Sequence, residues 1–128
     1  MKKIIGNPKI INDFLINKIK NTEVDFTYIK NKKDFRDQII NEIKSNDVVL
    51  DIGKAMREKF NSINSKKLET LDINDFGDYP DIVCDLCEEM DQEIENRYDK
   101  IICIAILEHV YNPFKAVKNL KKILKPGG

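Results

Sequence analysis

The sequence predicts an α/β domain, a parallel sheet whose short strands alternate with helices. Three observations carry this. From Asp47 onward, apolar runs recur between segments whose apolar residues return every three or four positions. DVVLDI is apolar at nearly every residue, as expected of a parallel strand covered on both faces. The chain has 128 residues, enough for one domain that buries about two-thirds of its unfolded surface.

Asn7-Pro8 reads as an N-cap and first helical residue ahead of KIINDFLINKIKN, where Ile10, Ile11, Phe14, Leu15 and Ile19 share one helix face. A second helix is expected from Asp34 to Lys44, with Phe35, Ile39, Ile40 and Ile43 on one side. Both read as core-covering helices, not membrane-binding ones, and they make residues 1–46 an N-terminal helical segment. DVVLDI is the first strand of the following domain, residues 47–128. Met56, Phe60 and Ile63 then predict a helix. KLETLDI is the second strand, and DIVCD the third, after turn signals at Gly77 and Pro80. DKIICIAIL is the fourth strand and the most apolar. Asn112-Pro113 caps a last helix with Phe114, Val117, Leu120, Ile123 and Leu124 on one side and five lysines on a solvated face. Strands alternating with helices imply right-handed crossovers.

Lys+Arg and Asp+Glu both total 22, so no net field draws in nucleic acid or anionic lipid. No segment approaches the roughly 20 apolar residues that span a bilayer, and MKKIIGNPKIINDF lacks the sustained apolar stretch of a signal peptide. Three cysteines, an odd number, in or beside apolar segments suit reduced thiols. A cytoplasmic protein with no membrane or nucleic-acid partner is expected. Cys84-Asp85-Leu86-Cys87 has the spacing of a redox motif. Its first cysteine lies in an apolar strand, however, and no second pair exists for zinc. Buried structural thiols and no metal site are expected.

Ligands of open α/β sheets bind beyond the carboxyl ends of the strands, where strand order reverses. Here the first strand delivers Asp51 and Gly53, the second Asp72, the third Asp85, and the fourth runs into Glu108-His109. Asp72 lies 19 residues beyond Gly53, close to the spacing at which a carboxylate accepts hydrogen bonds from ribose hydroxyls. Asp85 is placed to accept from an exocyclic amino group. Capping aspartates after strands are the plain alternative for both. A dinucleotide would bring two phosphates, which need a glycine-lined helix N-terminus, and Gly53 alone does not supply one. S-adenosylmethionine has no phosphate and is net cationic, so an acid-ringed pocket favours it. Lys54 and Arg57 point the other way, since either could meet a phosphate.

The segment YDKIICIAILEHVYNPFKAVKNLKKILKPGG resembles the class I S-adenosylmethionine-dependent methyltransferases. In that family an aromatic-Asp pair opens the fourth strand, as at Tyr98-Asp99, and Leu-Glu-His-Val closes it, as at Leu107 to Val110. The next helix ends in Leu-Lys-Pro-Gly-Gly, as at Leu124 to Gly128. VVLDIG, LETLDIN and DIVCDL match the earlier motifs in order, so the resemblance covers residues 47–128. It implies a Rossmann-like doubly wound parallel sheet, incomplete at about four strands, and methyl transfer to a small or modified metabolite. It further implies that Asp51 and Gly53 shape the turn under the methionine tail and that Asp72 binds the ribose, with Ile73 beside the adenine. Asp85 and Leu86 take the adenine edge, and Cys103 and Ile104, at the end of the fourth strand, face the methionine part through backbone groups. Glu108 and His109 lie toward the substrate, as candidate acid–base residues.

Two departures from the family pattern stand out. The acid-x-Gly-x-Gly-x-Gly turn becomes Asp51-Ile52-Gly53-Lys54-Ala55-Met56-Arg57, so Ala55 and Arg57 replace the second and third glycines. After Lys125-Pro126-Gly127-Gly128 the family continues with further sheet, which predicts a fragment of a longer protein. Otherwise another chain, including a second copy, would cover the exposed edge of the fourth strand. The rival expectation is a catalytically inactive methyltransferase-like scaffold with an occluded pocket. A nicotinamide-dependent oxidoreductase is weaker still, given the poor phosphate turn.

Overall fold

A computed structural model describes residues 2–6, 24–28 and 31–128 of the chain, which divides into two compact units, residues 1–39 and 40–128. In the first unit, β1 (Lys2–Gly6) and β2 (Val24–Tyr28) pair in parallel, with Lys2 opposite Val24 and Gly6 opposite Tyr28. Neither strand is expected from the sequence. The helix expected after Asn7-Pro8 lies outside the described residues. Helix α1 (Lys32–Glu42) begins two residues earlier than expected, because Asn31 caps it: its Oδ1 accepts from the Asp34 N–H at 3.0 Å.

The second unit is built on β3 (Val48–Ile52), β4 (Lys67–Asp72), β5 (Ile82–Val83) and β6 (Lys100–Cys103). All pair in parallel, in the order β5-β4-β3-β6. The chain steps outward from β3 to β4 and β5, then returns to lay β6 on the other side of β3. Strand order therefore reverses at β3, which leaves a crevice beyond the carboxyl ends. Val49, Leu50 and Ile52 of β3 are buried, as its continuous apolar run requires, and β4 buries Leu71 together with the polar Glu69 and Thr70.

Three expected elements are shorter than the periodicity suggested. The helix read from Met56 to Ile63 is a 3-10 helix, Arg57–Ser62. The Asp51 carboxylate holds the Ala55 and Met56 N–H groups, and i to i+3 bonds such as Lys59 N–H to the Met56 carbonyl (2.7 Å) tighten the next turn. The third strand shrinks to Ile82–Val83 at the sheet edge. The fourth stops at Cys103 because Ala105 turns left-handed (φ 54°), and the chain folds into a turn closed by the His109 N–H on the Ile106 carbonyl.

Helix α2 (Pro113–Ile123) obeys its sequence signal. Pro113 opens it, and Asn112 Oδ1 accepts from the Lys115 N–H at 3.0 Å. Its buried face differs from the expected one: Ala116, Asn119 and Ile123 are buried, while Phe114 and Val117 are 87% and 50% exposed. Asn119 sets this orientation, because its amide donates to the carbonyls of Leu86 (2.8 Å) and Glu88 (2.7 Å). Small Ala116 permits the close approach.

Polar groups tie the sheet to α2. The fully buried Tyr98 donates its hydroxyl to Glu69 Oε2 at 2.9 Å, and Arg97 and Lys67 pair with Glu69 Oε1. Burial pushes the Glu69 carboxyl up, but hydrogen bonds from Lys67 and Tyr98 and the Arg97 charge outweigh it, and the net shift is downward. Asp99 Oδ2 accepts from the Val48 N–H and from Lys125 Nζ, both at 2.8 Å. These bonds fix the start of β6 against β3 and against the end of α2. Among the described residues no helix is long and apolar enough to cross a membrane.

Candidate functional site

An open cavity of about 280 Å³ lies beyond the carboxyl ends of β3, β4 and β5. Ile52 and Gly53 line it from β3, Leu71, Asp72 and Ile73 from β4, and Cys84, Asp85 and Leu86 from the turn after β5. Ile106, His109, Val110 and Tyr111 close the far side. The walls are mostly apolar, with two carboxylates among them.

Gly53 is the tightest point. Its φ of +67° is left-handed, its N–H donates to the Leu71 carbonyl at 2.8 Å, and a Cβ there would sit 2.8 Å from Ile106 Cδ1. Only glycine meets both demands without a shift. Lys54 comes next in the same conformation (φ 49°), and the two residues together reverse the chain. Asp51 holds the turn from below. Fully buried, it accepts from the Ala55 N–H on Oδ1 (3.2 Å) and the Met56 N–H on Oδ2 (3.1 Å). Burial pushes its carboxyl above the usual range, against the pull of these bonds and of the Lys54 charge. The turn survives the loss of two glycines because the backbone amides of Ala55 and Met56 close on Asp51, while Arg57 is exposed.

Asp72 ends β4 with both oxygens engaged: Oδ1 accepts from the Asn74 N–H (3.1 Å) and Oδ2 from the Tyr79 hydroxyl (3.0 Å). Burial and the Asp72 carboxylate raise the Tyr79 phenol, which stays protonated and orients that carboxylate. Asp85 Oδ1 accepts from the Cys87 N–H at 2.8 Å. Its Oδ2 has no hydrogen-bond partner among the described residues, and Asp85 lines the same cavity as Asp72. Tyr111 leans on this turn, its hydroxyl donating to Glu88 Oε1 at 2.7 Å. That bond, with some burial, pushes the phenol up to about 12.

The structure thus brings Gly53, Asp72, Ile73, Asp85, Leu86 and His109 to one cavity. Asp51 lies beneath it. Cys103, Ile104 and Glu108 do not line it, because the left-handed Ala105 turns the chain so that Ile106 and His109 face inward. Ile106, Val110 and Tyr111 belong to the cavity and are not singled out by the sequence; only the resemblance of the Leu107-Val110 segment hints at them. Burial raises the Cys84 and Cys103 thiols, with Asp85 and Glu108 adding to it, and Cys87 is fully buried with its thiol 3.4 Å from the Asn112 carbonyl. No group of three or more metal-ligating side chains occurs among the described residues.

A family model described as "Methyltransferase domain" matches residues 37–128, more than half of the chain. Curated relatives match over a shorter stretch, and those from Pseudomonas, Acinetobacter and Proteus carry the name ubiquinone biosynthesis O-methyltransferase. That of Pseudomonas savastanoi pv. phaseolicola is 37% identical over 41 residues, covering 32% of this chain and 18% of the relative. That of Acinetobacter baumannii is 42% identical over 41 residues (32% and 17%), and that of Proteus mirabilis 41% over 44 residues (34% and 18%). The aligned stretch is thus under one-fifth of each relative's length. No solved structure matches.

Proposed function

The chain belongs to the class I methyltransferase-domain family, and on that premise we propose that it transfers a methyl group from S-adenosylmethionine to a small-molecule acceptor. The observation that carries this is the convergence of Gly53, Asp72 and Asp85 on one open, largely apolar cavity at the switch point of the sheet. The cavity suits a nucleoside with no phosphate. The donor set fits as well: Asp85 keeps an oxygen free for an amino group, and Tyr79 holds Asp72 in a fixed rotamer beside the glycine turn. An inactive scaffold would be served by an occluded cleft, and this cleft is open.

S-adenosylmethionine supplies an electrophilic methyl group on a positively charged sulfur. The protein's share is placement. Asp72 orients the ribose, Asp85 and the Leu86 backbone take the adenine edge, and the close Gly53 turn leaves room for the methionine part. In-line displacement can be driven largely by proximity and orientation, so an acid–base pair is not required. His109, at the cavity wall, is the side chain placed to take a proton from an acceptor hydroxyl, and Glu108 lies outside. The names of the relatives support an oxygen as the acceptor atom.

Titration calorimetry of the intact chain with S-adenosylhomocysteine tests the reading, and saturable binding is expected. Absence of binding would overturn it. Asp72→Ala removes an acceptor of charge-assisted hydrogen bonds, each worth about 1.5–3 kcal/mol. Affinity should fall roughly ten- to a hundredfold, and an unchanged value would remove Asp72 from the ribose.

A further inference from the structure

A second, more open cavity of about 550 Å³ lies on the other side of Asp72, lined by Lys54, Arg57, Asp72, Phe76 and Tyr79. We propose that it is a separate binding site for a planar ring carrying a phosphate or carboxylate. Lys54 and Arg57 supply the charge, in the turn from which the second and third glycines are missing.

Four observations carry it. Among the described residues neither Lys54 nor Arg57 has a carboxylate within ion-pair distance. Lys54 occupies a left-handed conformation (φ 49°) that a lysine side chain disfavours and glycine would adopt freely. Its ammonium is held 5.1 Å from the centre of the Tyr79 ring and 5.5 Å from that of Phe60, positioned by aromatic faces without being neutralised. Phe76 stacks on Tyr79 (5.8 Å between centroids, 26° between planes) yet remains 62% exposed, which leaves a ring face open to the cavity.

Asp72 keeps its negative charge in the wall, since its partners Asn74 and Tyr79 are neutral donors, and the buried Asp51 also feels the Lys54 charge. Arg57, exposed at the rim, is therefore the main cation for an anionic group, with Lys54 beside it. The ring of a ligand would lie on Phe76 and its anionic group between Lys54 and Arg57. A planar guanidinium and a point-like ammonium side by side suit an oxyanion.

Phenyl phosphate and benzoate are the probes, titrated into the full chain by calorimetry. Binding of either is expected, weakening as salt rises, and the tighter of the two identifies the anion. Lys54→Gly relieves the left-handed strain, so the variant should fold at least as well as the parent. Combined with Arg57→Gln it should weaken binding at least tenfold. Phe76→Ala should weaken phenyl phosphate while leaving inorganic phosphate unaffected. No binding of either probe at millimolar concentration, or an affinity unchanged in the double variant, would overturn the proposal. The outcome is independent of the cofactor reading, which stands or falls on S-adenosylhomocysteine in a separate titration.

Discussion

Gly53→Ala tests the turn on which the candidate cofactor cleft depends. The substitution forces alanine into a left-handed conformation, φ +67°, at a cost of about 1–2 kcal/mol. The new methyl would sit 2.8 Å from Ile106 Cδ1. That atom is the tip of a flexible side chain, so Ile106 swings away at about 0.5–1.5 kcal/mol. Restricting the unfolded chain returns about 0.4–1 kcal/mol. The net loss of stability is about 0.5–3 kcal/mol, read as a lower urea midpoint with an unchanged slope. Ile106 lines the cleft, and its displacement should also weaken S-adenosylhomocysteine. A stability loss below about 0.5 kcal/mol together with unchanged affinity would show that the close approach is not required, and Gly53 would lose its place in the site.

Glu69→Gln should lower stability at neutral pH by about 1–3 kcal/mol, since Tyr98, Arg97 and Lys67 lose a charged partner. Its folded pKa lies below the ordinary 4.5. The contribution is therefore complete above that value and disappears as pH falls through the lowered one, so the gap to the parent should close in acid urea titrations. Asp51→Asn should show the opposite trend. Burial raises the Asp51 pKa above 3.8, so the parent gains on the variant as pH falls through the raised value; a gap constant between neutral and pH about 4 contradicts the role of burial. Asn119→Ala leaves the Leu86 and Glu88 carbonyls without their partner, at about 1–3 kcal/mol. Faster hydrogen exchange over residues 86–88 would reveal the loosened turn, and unaltered exchange would argue against Asn119 as its anchor.

Legibility of this fold in the sequence has a physical pattern. Strand β3 was legible because a buried parallel strand must be apolar on both faces, and α2 because Asn112-Pro113 is local capping chemistry. The carboxylates at the strand ends were legible because the topology places strand termini together. Features set by tertiary context were not. Ala105 carries no mark of its left-handed turn, so the fourth strand reads too long and the inward reach of Ile106 and Tyr111 goes unseen. Phe114 and Val117 continue the apolar periodicity of α2, yet one hydrogen-bonding Asn119 rotates the helix and leaves them exposed. VDFTY does alternate as a strand should, but no turn signal separates it clearly from its neighbours.

Loss of glycine in the turn after β3 has a structural consequence beyond tolerance. In a glycine-rich turn the backbone itself forms the binding surface. Here Asp51 anchors the amides of Ala55 and Met56 from beneath, so those N–H groups are committed inward and unavailable to a phosphate. A diphosphate therefore loses its usual donors at the mouth of the first cavity, whereas a donor recognised through ribose and adenine loses nothing. Positive charge that glycine could not supply appears on Arg57, which joins Lys54 beside the second cavity. The exchange of a glycine for Arg57 thus adds cationic character beside the second cavity, and Asp72 lines both cavities.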